Sequence, residues 1–132
     1  MSLANNTENN LLNYTFRATG ANPLATQYLA LHTADPGEAG SLAAEVSGGS
    51  YARVALTPAT FWSAASGGAI SNAAAQEFAQ ASANWGTITH FSVCDASTAG
   101  NVLASGALSA SIVINTNDIL RIVAGQLTMT AD

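Results

Sequence analysis

Between Trp85 and Thr130 the chain reads as three extended segments joined by two short polar turns: WGTITHFSVCD, NVLASGALSASIVIN and DILRIVAGQLTMT. Alternation with period two, rich in β-branched and aromatic residues, belongs to strands and not to helices. In the first segment Thr89, Phe91 and Val93 share one face, while Ile88, His90, Ser92 and Cys94 share the other. In the second, Val102, Ala104, Gly106, Leu108, Ala110, Ile112 and Ile114 fall together, with Ser105, Ser109 and Ser111 opposite. This predicts an antiparallel sheet of three strands with one wet face. The turns at Asp95–Asn101 and Asn115–Asp118 are built from residues that tolerate left-handed backbone or bond to it.

The remainder supplies more short extended pieces. Gln27–Thr33 (QYLALHT) and Tyr51–Leu56 (YARVAL) read as strands, with Leu29 and Leu31 opposite Tyr28, Ala30 and His32. Asp35-Pro36-Gly37 is a turn, and Glu38–Ser50 has no clean period and reads as a surface loop. Phe61-Trp62 starts a third extended piece, Ser66-Gly67-Gly68 marks a hairpin corner, and Ala69–Asn72 and Gln76–Phe78 follow it. The Ala-rich stretch Asn72–Asn84 has a helical alternative. Near the start, Asn6 or Thr7 serves as N-cap for a short helix, Leu11, Leu12 and Phe16 form its apolar stripe, and Gly20 ends it. So short a helix must dock on the sheet or on a neighbouring subunit. A linker begins at Asn22-Pro23. The expected fold is all-β: an antiparallel β-sandwich or small barrel with a short N-terminal helix, in one domain spanning 1–132 (arm or helix 1–20, sandwich 27–131).

Charge narrows the function. Only 8% of residues are charged, with three arginines, no lysine and a net charge of −5, against about a quarter charged in ordinary domains. Such a chain cannot build the basic footprint that nucleic acid or an anionic membrane requires. A surface of Ser, Thr, Asn, Ala and Gly instead suits packing against copies of itself or another protein. There is no apolar run of 18 residues. The start, MSLANNTENN, lacks the basic and apolar regions of a signal peptide, and assembly in a host cytoplasm is expected.

Candidate chemistry is sparse. His32, Asp35, His90 and Asp95 are the residues from which a metal site or a Ser-His-Asp arrangement would have to be drawn. No HxH, HExxH or GxSxG spacing accompanies them, and aspartate at strand ends is ordinary turn chemistry. Gly48-Gly49 and Gly67-Gly68 lack the strand–loop–helix setting and the lysine of a phosphate cradle. Cys94, the single cysteine, sits in a strand as a small apolar residue. No cofactor, no metal and no enzymatic activity are expected. The scarce arginines carry more: Arg53, eight residues from Glu45 across the Gly48-Gly49 corner, and Arg121, close after Asp118, interrupt apolar strands, and each either pairs within the subunit or reaches a neighbour's carboxylate. Trp62 and Trp85 are core or interface anchors, with a stacked sugar as the alternative. The candidate interface is therefore Leu11, Phe16, Arg53, Trp62, Trp85 and Arg121.

LALHTADPG (Leu29–Gly37), EVSGGSYARVALT (Glu45–Thr57), WGTITHFSVCDA (Trp85–Ala96) and DILRIVAGQLTMT (Asp118–Thr130), with the opening SLANNTENNLLNYTFRATG, resemble a family of small tailed-bacteriophage virion proteins often labelled tail-fibre-like. The resemblance covers nearly the whole chain, and LHTADPG, SGGSYAR and WGTITHF are its most specific pieces. Phe61–Ala83 departs from it, being rich in Ala and Ser where the family pattern has a longer, more aromatic middle. The resemblance implies a structural virion component. Capsid decoration or cementing, by a homo-oligomer and most plausibly a trimer packed on the major capsid protein, is the first expectation. A tail-associated fibre or adhesin module that meets tail proteins and binds a host surface glycan is the alternative.

Overall fold

The computed structural model describes residues 1–20 and 23–131, so Ala21, Asn22 and Asp132 lie outside it, and with them half of the expected Asn22-Pro23 linker. In chain order the elements are β1 (Ser2–Leu3), α1 (Asn5–Arg17), β2 (Gln27–His32), β3 (Val54–Leu56), α2 (Pro58–Phe61), β4 (Ala69–Ser71), β5 (Gln76–Glu77), β6 (Gly86–Cys94), β7 (Val102–Ile114), β8 (Arg121–Ile122) and β9 (Thr128–Thr130). Five strands form one antiparallel sheet in the order β1-β7-β6-β2-β3, and two ribbons, β4–β9 and β5–β8, make a second layer. The fold is all-β with one substantial helix.

The ribbons cover one face of the sheet. Leu29, Leu31, Ile88, Phe91, Val93 and Ile114 meet Phe61, Phe78, Trp85, Leu120, Ile122 and Leu127 in the main core. The opposite face is also covered: Ala30, Cys94 and Val102 pack with Ala4 from the foot of α1, and with Leu42 from the loop over residues 33–50. The expected wet face is thus absent from the carboxyl half of β6, where Ser92 and Cys94 have no exposure. The loop earns this position through its backbone, since Val46 donates to the Leu31 carbonyl and Thr33 to that of Ala44.

Two irregularities split the faces expected of β6 and β7. Ile88 opposes Ile112 while His90 opposes Ala107, so Thr89 faces the four residues 108–111. A bulge of this kind exchanges the two faces of a strand beyond it. Ile88 therefore joins Phe91 and Val93 instead of His90 and Ser92, and Val102 lies with Cys94 while Ile114 belongs to the main core.

The third expected strand does not join this sheet. Residues 118–130 break into β8 and β9, separated by a turn in which Gly125 adopts φ +79° and the Gln126 amide donates to the Val123 carbonyl. Buried Asn72 holds that turn: its Nδ2 donates to the carbonyls of Ala74 and Val123, and its Oδ1 accepts from the Leu127 amide. Phe61 closes a helical turn instead of starting a strand, because Pro58 presets the first helical position and the Thr57 carbonyl accepts from Thr60 and Phe61. Trp62 then bridges to Asn72. The Ser66-Gly67-Gly68 corner forms as expected, with both glycines at positive φ. The Asn72–Asn84 stretch is not helical.

The foot of α1 departs from the expected cap. Ala4 occupies the N-cap, the Asn5 amide donates to the Glu38 carbonyl, and Thr7 lies inside the first turn with its hydroxyl donating to the Leu103 carbonyl. The helix stops at Arg17 with Ala18 in the left-handed region, ahead of Gly20. Beyond its first turn it buries nothing: Leu11, Leu12, Tyr14 and Phe16 are all exposed, Phe16 at 79%.

Candidate interface at one sheet edge

The residues from which catalysis would have to be built are dispersed or sealed. His32 is fully buried; its Nε2 lies 2.7 Å from Ser92 Oγ, and its Nδ1 has no partner. Asp35 does not supply one. It accepts from the Gly37 amide in the turn and stands 3.9 Å from His90 Nε2. Asp95 is bound to the amide and side chain of Asn101, closing the β6–β7 turn. His32 and Ser92 thus lack both the carboxylate and the access that a hydrolytic arrangement needs. Among the described residues no three metal-ligating side chains converge. Ser92 Oγ lies 3.4 Å from Cys94 Sγ, and burial raises the thiol pKa, which leaves Cys94 an unreactive part of the second face.

Arg53 pairs within the subunit. Its side chain is 2% exposed and grips Glu45 through two parallel bonds, Nε to Oε1 at 2.7 Å and Nη2 to Oε2 at 2.6 Å. Nη1 donates to the carbonyls of Ala96 and Ala99, so one guanidinium ties the 33–50 loop to the β6–β7 turn. The Tyr51 hydroxyl donates to Glu45 and accepts from the Leu31 amide. Burial alone would raise the Glu45 carboxyl, but hydrogen bonding and charge from Arg53, aided by Tyr51, hold it below its ordinary value of 4.5. Burial, outweighing the attraction of Glu45, pushes the His32 imidazole below 6.5, with Arg53 and His90 adding to the depression.

Both shifts carry the same sign for stability. Each group binds more protons unfolded than folded, so its contribution is complete above the unfolded pKa and is lost as pH falls through the folded one. Thermal melts should show stability declining below about pH 6.5 through His32, then more steeply below about 4.5 through Glu45. His32→Gln should flatten only the first part. A wild-type melting temperature unchanged from pH 7 to pH 5 would contradict the assignment.

Trp62 and Trp85 are also occupied inside the chain. Trp62 Nε1 donates to Gln27 Oε1, and Trp85 Nε1 donates to the Gly49 carbonyl while its ring meets Tyr51 edge-on. Neither presents a ring for a sugar. Arg121 lies across from Glu77 in the β5–β8 ribbon at 3.8 Å, both mostly in solvent, a geometry that contributes under about 1 kcal/mol. Of the six expected interface residues, Arg53, Trp62 and Trp85 are spent on internal contacts, whereas Leu11, Phe16 and Arg121 face outward.

Leu11 and Phe16 are not the only unpartnered groups. α1 follows β1 and seats its first turn on β7, where the Thr7 hydroxyl donates to the Leu103 carbonyl. β1 covers that edge only at Ala104 and Ser105, and among the described residues Ala107–Val113 have no strand partner on the side away from β6. Ile112 and Val113 are exposed there. Between Asp95 and Asp118 the chain carries no charge and no proline, which are the features that normally protect a strand edge from pairing. The opposite edge is blunted: β3 has three residues, and Gln76 Nε2 caps the Ala55 carbonyl. Sequence reading singled out the apolar stripe of α1 but not this edge, although the absence of charge in residues 96–117 was there to be seen.

A family model described as podophage GP4 fiber I protein gp80 (Gp80) matches residues 2–130. No curated protein matches the chain.

Proposed function

Because the chain belongs to the podophage GP4 fiber I protein family, which makes it a fibre-related structural component of a tailed-phage virion, we propose that it acts by self-association within the tail fibres. The observation that carries this is α1, whose Leu11, Leu12, Tyr14 and Phe16 stand in solvent, in a chain that also carries an uncharged, unpaired strand edge at 107–113. Apolar side chains exposed together on a helix in this way make a contact surface and not a stable exterior. Specific contacts bury about 800 Å² on each partner, and a helix with a strand edge supplies an area of that order. The partners are further copies, with a trimer as the expected state, and the tail proteins that carry the fibre.

The sequence placed capsid decoration or cementing first and a fibre module second. The family description supports the fibre at least as well, and the fibre is the reading adopted. Glycan recognition loses its support from tryptophan, because Trp62 and Trp85 are interior.

Sedimentation of the purified chain, paired with immunogold labelling of virions, tests the proposal. An oligomer that Leu12→Ser with Phe16→Ser converts to monomer, together with label on the tail fibres, is the expected result. A monomer at high concentration, or label on the shell, would overturn it.

A further inference from the structure

The chain owns three cations, and their disposition is informative. Arg53 is consumed by Glu45, and Arg121 faces Glu77. Arg17, in the last turn of α1 next to exposed Phe16, makes no ion pair among the described residues. A complement lies in a cleft of about 420 Å³ flanked by Asp35 and Glu38 and lined also by Met1, Ser2, His90, Gly106 and Ala107, where the Met1 amino group is spent on the Thr128 carbonyl. Both carboxylates are exposed, and the Glu38 side chain has no hydrogen-bond partner among the described residues. The cleft opens onto the start of the unpaired β7 edge.

Arg17 cannot reach its own cleft. α1 starts at the rim, where the Asn5 amide meets the Glu38 carbonyl, and Arg17 is 12 residues further along, about 18 Å at helical rise. We propose that α1 of one copy lies along the β7 edge of a second copy, with Leu12 and Phe16 against its Ile112 and Arg17 between its Asp35 and Glu38. The ends of the contact fit: the His90–Ala107 and Ile88–Ile112 pairs are two residues of β6 apart, about 7 Å, and from Arg17 back to Leu12 is about 7.5 Å, with the bulged residues 108–111 of β7 between the two ends. The contact rests on the self-association proposed above and gives it a direction, because each copy donates a helix and accepts one. Such a head-to-tail contact closes into a ring or runs on as a filament.

Charge reversal tests it on the full chain. Arg17→Glu should weaken association by about tenfold or more in sedimentation equilibrium at moderate salt, while at dilutions where both chains are monomeric its circular-dichroism melt should match wild type within a few degrees, because Arg17 has no internal ion pair to lose. Adding Glu38→Arg to the same chain should restore assembly. If Arg17→Glu assembles like the wild type, or Glu38→Arg brings no recovery, the contact is wrong while self-association stands. If the wild-type chain is itself monomeric, both fall together.

Discussion

Replacing Arg53 by methionine should lower the unfolding free energy by about 3–5 kcal/mol and the melting temperature by about 10–20 °C. The size follows from what the substitution leaves behind. Methionine fills much of the volume, but Glu45 then keeps only the Tyr51 hydroxyl as a partner, and the carbonyls of Ala96 and Ala99 lose their donor. A carboxylate stranded beneath the loop is more costly than the intact pair was favourable, because desolvation is no longer offset. Adding Glu45→Leu to Arg53→Met should therefore recover part of the loss. Arg121→Met, at the exposed pair with Glu77, should change stability by under about 1 kcal/mol. Calorimetry of the four chains checks the set, and an Arg53→Met protein melting within a few degrees of wild type would refute it.

Asn72→Ala should be nearly as damaging, by about 3 kcal/mol or more, since each buried group left without a partner costs about 1–3 kcal/mol. Three side-chain bonds vanish at once, to Ala74, Val123 and the Leu127 amide, at a residue with 1% exposure. The Val123–Gln126 turn depends on them, and so does the step that carries the chain from β8 to β9. The variant should consequently be cut by protease in that turn under conditions that leave wild type intact. Equal resistance would show that the turn is held mainly by the backbone bonds from Asn72 to Gly125 and Leu127.

These two residues also mark how far the sequence could be read. Gln27–His32, Gly86–Cys94 and Val102–Ile114 were legible as strands because alternation is a local property, and Ser66-Gly67-Gly68 was legible because its glycines satisfy a local backbone demand. Asn72 was invisible: its three partners include residues 51 and 55 positions away, and nothing nearby in sequence announces them. Without it, DILRIVAGQLTMT looks like one strand. The bulge at Thr89 was equally hidden, since it arises from how two strands pair and not from either one. Arg53 was recognised as needing a carboxylate, but choosing Glu45 over a neighbour's residue required the path of the loop between them. In the candidate interface Leu11 and Phe16 could be picked out by helical spacing, whereas Asp35 and Glu38 were absorbed into turn and loop chemistry. The relation to Arg17 proposed above would exist only across two copies.

The seat of α1 has a temporal consequence. β1 pairs with Ala104 and Ser105, the helix foot bonds to Leu103, and the Met1 amino group meets the Thr128 carbonyl. Until β7 has been synthesised, the helix foot has only the Glu38 carbonyl and the packing of Ala4 on Ala30 and Leu42 to hold it. Contacts this distant along the chain also slow folding, because loop closure must precede their gain. The seat of the helix is thus completed only once residues 102–105 have been synthesised.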